Sequence, residues 1–202
     1  MGNKKIKGIG FDYSGVVAGI SGAQLSNAMC EILNVASEEY KRHYYSINHI
    51  LNTGHVNRDD FWKLLLKRLG KTDKHAEVIQ YLDRIPAHKI NEGVLHVVRG
   101  LQLRGYKLGL LSNCNYTQAK NIKEKLAGHF DAVVLSSEIG FMKPSVEAYN
   151  IFFHALGVEP SQAVFIDDAE QNLIPSDELG FKPILFTGVE SLQKALADFG
   201  IC

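Results

Sequence analysis

The stretch Ile9-Gly10-Phe11-Asp12-Tyr13-Ser14-Gly15-Val16-Val17 decides how the rest of this chain is read. An apolar run ends at one aspartate, followed by an aromatic residue, a small hydroxyl residue and a glycine. That is the form of a strand carrying a carboxylate to its C-terminal end, where open α/β sheets bind their ligands. Asp12 is therefore the first candidate reactive group, and Lys5 to Asp12 the first expected strand.

Immediately downstream the pattern changes. From about Ala23 to Ile85 every periodic segment is helical and no strand interrupts. Leu25, Met29, Ile32 and Leu33 keep helical spacing. Ser37, followed by Glu38 and Glu39, predicts a helix start, with the serine oxygen serving the orphan N–H groups and the acids suiting the first turn. That helix carries Tyr40, Tyr44, Ile47 and Leu51 as far as Asn52-Thr53-Gly54. Asn57 predicts the cap of the next, with Phe61, Leu64, Leu65 and Leu69 on one face and Gly70 as its stop. Thr72 opens a fourth helix, through Val78, Ile79, Leu82 and Ile85, that Pro86 closes. One block of amphipathic helices thus sits between the first strand and the second.

Beyond Pro86 the rhythm is helix, strand, helix, strand. Val94, Leu95, Val98 and Leu101 mark a helix, and Tyr106 to Leu111 a strand ending in Ser112-Asn113. Thr117 to Leu126 is helical, Ala132 to Leu135 a short strand, and a helix starting at Pro144 and Ser145 stops at Gly157. Ala163 to Ile166 is a strand ending in Asp167-Asp168; a helix ending near Gly180, a strand Pro183 to Phe186 and a helix Ser191 to Phe199 complete the chain. Such alternation predicts an α/β fold with a doubly wound parallel sheet covered on both faces. The expected division is a core of residues 1–16 and 88–202 with an inserted helical-bundle cap over 17–87.

Composition narrows the function. The 202 residues carry 22 Lys+Arg and 22 Asp+Glu, a balance that points to neither nucleic acid nor a membrane surface as partner. The basic start, Met1 to Lys7, lacks a signal-peptide core, and no apolar run is long enough to span a bilayer, so the expected location is cytoplasmic. Cys30, Cys114 and Cys202 are far apart and lack metal-ligand spacing, which fits reduced thiols.

Asp12, Ser112-Asn113, Lys143 and Asp167-Asp168 all fall at or shortly after expected strand ends. In a doubly wound sheet such ends converge on one crevice. Taken singly each has a plainer reading: a strand-end Asp as a helix cap, Ser-Asn as turn chemistry, Lys-Pro as a helix lead-in. Together they supply a carboxylate nucleophile, hydroxyl and N–H donors, a cation, and an acidic pair suited to a hard metal such as Mg2+.

The motifs Phe11-Asp12-Tyr13-Ser14-Gly15-Val16, Leu110-Leu111-Ser112-Asn113, Ser136 through Pro144, and Val164-Phe165-Ile166-Asp167-Asp168-Ala169-Glu170-Gln171-Asn172 stand in one order along the chain. In that order the chain resembles the haloacid dehalogenase-like (HAD) superfamily, in the branch with a helical cap after the first strand. It is most similar to the sugar-phosphatase-like members and to the N-terminal phosphatase domain of soluble epoxide hydrolase. The resemblance implies a Rossmann-like core, a Mg2+-dependent phosphatase and a small phosphorylated metabolite as substrate, in a monomer or homodimer. It implies Asp12 as nucleophile and metal ligand, the Ser14 backbone carbonyl as a second ligand, and Asp168 as a third. Ser112 and the Asn113 N–H would hold phosphate oxygens. Lys143 would neutralise charge between Asp12 and phosphate, and Asp167 with Asn172 would orient the metal site from behind.

Ser14 departs from the family pattern, in which phosphatases usually carry a second aspartate that protonates the leaving oxygen. A serine hydroxyl cannot do so at neutral pH. Two alternatives follow: a binding or regulatory protein without turnover, and a dehalogenase, whose relatives lack an acidic pair like Asp167-Asp168. The cap is expected to set the substrate, with His43, Tyr44, Tyr45, His49, His55 and Trp62 as candidates for lining the cleft.

Overall fold

The computed structural model describes residues 5–85 and 89–201. Met1 to Lys4 of the basic start, Pro86, His88, Cys202 and the expected boundary at 87/88 lie outside them. Strand β1 (Gly8–Phe11) leads into helices α1 (Gly22–Leu33), α2 (Ser37–Tyr45), α3 (Asn48–Asn52), α4 (Arg58–Arg68) and α5 (His75–Arg84). The chain continues through α6 (Glu92–Leu103), β2 (Lys107–Ser112), α7 (Tyr116–Lys125), β3 (Ala132–Leu135), α8 (Ser136–Ile139) and α9 (Val146–Leu156). It ends with β4 (Ala163–Asp167), α10 (Glu170–Leu173), α11 (Ser176–Leu179), β5 (Lys182–Leu185) and α12 (Val189–Asp198).

The five strands form one parallel sheet in the order β3-β2-β1-β4-β5. Phe11 pairs with Leu110 on one side and Ile166 on the other, so one step further Asp12 falls level with Asp167. The sheet is apolar on both faces, as a parallel sheet between helix layers must be. Ile9, Phe11, Leu108, Leu110, Val164 and Ile166 pack under α6, α7 and α12. Leu111, Ala163 and Phe165 pack under α9 with Tyr149, Phe152 and Phe153. Glycine lets α9 come close: a Cβ on Gly10 would sit 2.8 Å from the Phe152 ring, and one on Gly109 would sit 2.6 Å from it.

Helices α1 to α5 bury a third, separate cluster that includes Met29, Tyr40, Phe61, Trp62 and Leu65. Their polypeptide leaves and rejoins the sheet side by side. Ala18 bridges Ile90, the Gly19 N–H donates to the Lys89 carbonyl at 2.9 Å, and the Asn91 N–H donates to the Val17 carbonyl at 2.9 Å. The far end of the block touches the core where the Ser136 hydroxyl donates to the Asn52 carbonyl. No helix among the described residues is long and apolar enough to cross a membrane.

Several expected elements differ in detail. The helix predicted from Ser37 to Leu51 is two, because the Ser46 hydroxyl donates to the His43 carbonyl at 2.8 Å and takes a bond from Arg68 at 3.1 Å. A side chain that competes in this way for backbone partners ends the ladder. Ser37 is not the cap: Ala36 holds that position, without a side-chain bond. Thr72 opens a 3-10 turn, and α5 begins only at His75. Pro175 divides the expected helix before Gly180 into α10 and α11, since it has no N–H to continue the first. The single-turn helix α8, stopped by Gly140, was too short to show a period.

Candidate active site

Lys143 is the hub of the site. Its Nζ lies 2.6 Å from Asp12 Oδ1 and 2.6 Å from Asp167 Oδ2. All three are buried, at 1 %, 6 % and 0 % exposure respectively. The sheet explains the meeting. Side chains two apart along a strand share a face, so Phe165 and Asp167 point the same way, toward the α9 layer. Lys143 enters from the loop before α9 and passes over Phe165, its Nζ 5.3 Å from the ring centre. Asn113 fixes the lysine's main chain from both sides. Its Nδ2 donates to the Lys143 carbonyl and its Oδ1 accepts from the Lys143 N–H, each at 2.8 Å.

Asp167 is saturated. Besides Lys143, its Oδ1 accepts from the Ala169 N–H at 2.9 Å, and Asn172 Nδ2 reaches its two oxygens at 3.0 and 3.1 Å. Tyr149 donates its hydroxyl to the Asn172 carbonyl and so braces this network from α9. Asp168, the next residue, faces the other way, into the open space above the sheet. It lies so close to Gly15 that a Cβ there would be 2.5 Å from its Oδ2, and Gly15 has φ +83°. Only glycine meets both conditions without strain.

One oxygen from each of Asp12, Asp167 and Asp168 falls within 4.8 Å of the others. Burial lifts Asp12 to about 7; Lys143 opposes this, and Asp167 and Asp168 add to it. Burial and the Asp167 charge lift Asp168 to about 6. Burial alone would lower the Lys143 pKa, but the Asp12 and Asp167 charges outweigh it and hold the ammonium charged. When all three are ionised, the carboxylates outnumber the one ammonium by two charges, an excess that a divalent cation would offset. The donors are all oxygen, which suits a hard cation such as Mg2+. On donor chemistry and charge, these residues fit that ion.

A family model described as haloacid dehalogenase-like hydrolase matches residues 6–175. The chain belongs to the haloacid dehalogenase-like hydrolases. Among curated HAD relatives, D-ribitol-5-phosphate phosphatase of Bacteroides thetaiotaomicron is 27 % identical over 192 residues, 88 % of this chain and 90 % of that protein. Bifunctional epoxide hydrolase 2 of Mus musculus is 28 % identical over 117 residues, 54 % of this chain and only 21 % of that protein's length. The fold is shared with a magnesium complex of a HAD family enzyme from Bacteroides thetaiotaomicron, with TM-score 0.64 and 22 % identity, covering 90 % of this chain and 93 % of that one.

Above the HAD motifs lies a cavity of about 680 Å³, between the sheet and helices α1 to α5. Asp12, Ser14, Asn113, Lys143, Asp168 and Asn172 all reach it. Ser112 does not line it: the residue is buried at the end of β2, and its hydroxyl makes no hydrogen bond of good geometry. Cys114 lies buried close by. Burial pushes its thiol up to about 12, an effect that the Ser137 and Ser112 hydroxyls offset only in part. It is not a ready nucleophile.

Of the cleft candidates in the cap, Tyr44, Tyr45 and Trp62 line the cavity, whereas His43, His49 and His55 do not. His55 instead bonds Thr53 Oγ1 at 2.7 Å. Among the lining residues that escaped the sequence reading are Arg58 and Asp83. Arg58 of α4 and Asp83 of α5 form an ion pair at 2.7 Å beside the cavity. They are 25 positions apart, so no local spacing announces the pair.

Proposed function

We propose that the protein is a Mg2+-dependent phosphatase that removes phosphate from a small metabolite through an aspartyl-phosphate at Asp12. One observation carries this reading: the cluster of three carboxylates, two of them buried against Lys143 and the third, Asp168, half-buried where the cluster opens to a closed-over cavity. The phosphatase names of the relatives support it.

In this reading an Asp12 oxygen attacks phosphorus, the bond to the leaving oxygen breaks, and water later cleaves the acyl phosphate. Lys143 holds the attacking carboxylate in place and balances charge that gathers between it and the phosphate. The Asn113 N–H takes a phosphate oxygen; the Ser112 hydroxyl, unpaired but off the cavity wall, takes another only after turning toward it. Asp12, Asp168 and the Ser14 carbonyl hold Mg2+, which when bound supplies charge neutralisation at the phosphate. Asp167 keeps Lys143 and is itself kept by Asn172.

Ser14 reaches the cavity but has no acidic proton to give the leaving oxygen. General acid-base help is worth about a hundredfold to ten-thousandfold. Acyl, anomeric and aryl phosphates, whose leaving groups are stable as anions, are therefore turned over faster than simple alkyl esters. In Ser14→Asp that gap narrows; an unchanged ratio removes Ser14 from the explanation.

The same residue favours a second reading, a protein that binds a phosphorylated ligand without turning it over. A phosphate-release screen across sugar and aryl phosphates, with and without Mg2+, separates the two. Metal-dependent release that disappears in Asp12→Asn is the expected result. Saturable binding with no release from any compound supports the binder, and a site that stays empty in crystals soaked with magnesium and fluoroberyllate refutes both.

A further inference from the structure

Ser136 stands one residue past β3. Leu135 pairs with Ser112 in the sheet, so Ser136 falls level with Asn113, beside the loop that leaves β2. It is fully buried, and its hydroxyl is where two parts of the molecule meet. The Oγ accepts from the Cys114 N–H at 2.9 Å and donates to the carbonyl of Asn52, at the end of α3 in the cap. The Cys114 carbonyl lies 3.3 Å from the same oxygen. A hydroxyl has one proton to give. It therefore serves one carbonyl at a time, and the Asn52 carbonyl is the nearer.

A second contact strengthens this seat. Gly54 has φ +80°, and a Cβ there would sit 2.6 Å from the ring of Tyr116, at the start of α7. The cap main chain thus rests on the core two residues beyond the Asn52 bond. From Ser136 the contacts run inward toward the carboxylates. A peptide unit is planar, so a held Cys114 N–H fixes the peptide that Asn113 shares with it. The Asn113 side chain holds the Lys143 main chain through two bonds of 2.8 Å, and Lys143 Nζ meets Asp12 Oδ1 at 2.6 Å. Alanine at position 136 would leave the Cys114 N–H and the Asn52 carbonyl without this partner.

We infer that Ser136 is a positioning residue: its hydroxyl ties the α3 end of the cap to the Asn113-Cys114 peptide and, through Asn113, to Lys143. The effect on rate rests on the phosphatase reading; the tie between cap and loop does not.

Two variants approach the hydroxyl from opposite sides. Ser136→Ala removes it from the core. Gly54→Ala, in the cap, drives a methyl group into the Tyr116 ring and unseats the Asn52 carbonyl without altering Ser136 or Cys114. Ser136→Thr restores a hydroxyl. One readout is hydrogen exchange at the Cys114 amide, followed by NMR. The other is kcat and KM with Mg2+ on p-nitrophenyl phosphate or ribose 5-phosphate, whichever is turned over faster, expressed per folded molecule. The Cys114 amide is expected to exchange about tenfold faster in both Ser136→Ala and Gly54→Ala, the size of one lost buried bond, and near the native rate in Ser136→Thr. In the same two variants kcat falls about tenfold or more, KM changes far less, and Ser136→Thr recovers most of the rate. The double variant is no slower than Ser136→Ala, because both changes cut one link. Native exchange at Cys114 in Gly54→Ala overturns the inference, and this variant decides by itself if Ser136→Ala does not fold. Losses that multiply in the double variant also overturn it, as does a Ser136→Ala protein that melts lower yet keeps its kcat. If the native protein releases phosphate from neither ester, the phosphatase reading fails and exchange at Cys114 alone decides the tie. Phosphate release with exchange unchanged in both variants does the reverse.

Discussion

Asn113 holds the Lys143 main chain through two bonds of 2.8 Å, and Lys143 in turn reaches two carboxylates at 2.6 Å. An error at Asn113 is therefore passed on to the charge that lies beside Asp12. In Asn113→Ala both Lys143 backbone groups lose their partner, which costs about 1–3 kcal/mol of stability for each buried group left unpaired. If Lys143 Nζ moves by about 1 Å, turnover falls roughly a hundredfold. Asn113→Asp keeps an acceptor for the Lys143 N–H but loses the donor, so it falls between the two proteins. Thermal unfolding and metal-dependent turnover check this, and an alanine variant with native stability and native rate contradicts the clamp. The sequence points to Asn113 as a residue of the site through its place at a strand end. It does not reveal that the side chain is committed 30 positions away, because that bond exists only after the α8–α9 loop has folded over β2.

Helix α9 lies close to the sheet because β1 and β2 present glycine beneath it. The Phe152 and Phe165 rings pack edge to face, 5.5 Å apart at 82°. A methyl group on Gly10 would meet Phe165 at 2.4 Å and Phe152 at 2.8 Å. Gly10→Ala is expected to cost about 1–3 kcal/mol through overpacking, read as a lower urea midpoint with an unchanged slope. Gly22→Ala, at a position with no atom within 4 Å of the added carbon, is the control and leaves the midpoint nearly in place. Loss of equal size at both sites would contradict close packing as the cause. The strands and long helices are legible in the sequence because each has a period and a stop. The break after Tyr45 is not, since it depends on Ser46 meeting Arg68 of another helix. Pro175, by contrast, signals its break openly.

The three clustered carboxylates, Asp12 and Asp167 buried and Asp168 half-buried, couple the fold to pH and, in the phosphatase reading, to metal. Burial raises Asp12 to about 7 and Asp168 to about 6, both above the ordinary value for aspartate of about 3.9. A carboxyl whose folded pKa is raised stabilises the fold when protonated. That contribution is complete below about pH 4 and disappears as pH rises through about 6 to 7. A divalent cation competes for the same oxygens, so its effect has the opposite sign. Added Mg2+ is expected to raise Tm little near about pH 5 and progressively more toward about pH 8, following the fraction of metal-competent carboxylate. A Mg2+ shift that is flat across this range would remove these residues as the metal site.

The chain alone specified the order of elements, the parallel α/β core and the strand-end residues Asp12, Lys143, Asp167 and Asp168, because hydrophobic period, turn chemistry and motif order are local properties. Folding determined what those residues do to one another. The register that sets Asp12 level with Asp167 and the pairing of Arg58 with Asp83 join positions distant in sequence, and the saturation of Asp167 by Asn172 and the turn of Asp168 toward the cavity depend on how the chain bends after β4. Folding also chose Tyr44, Tyr45 and Trp62 over the neighbouring histidines as cavity lining. Helical spacing repeats around every face of a helix, and which face meets a cavity is settled only when the helices pack.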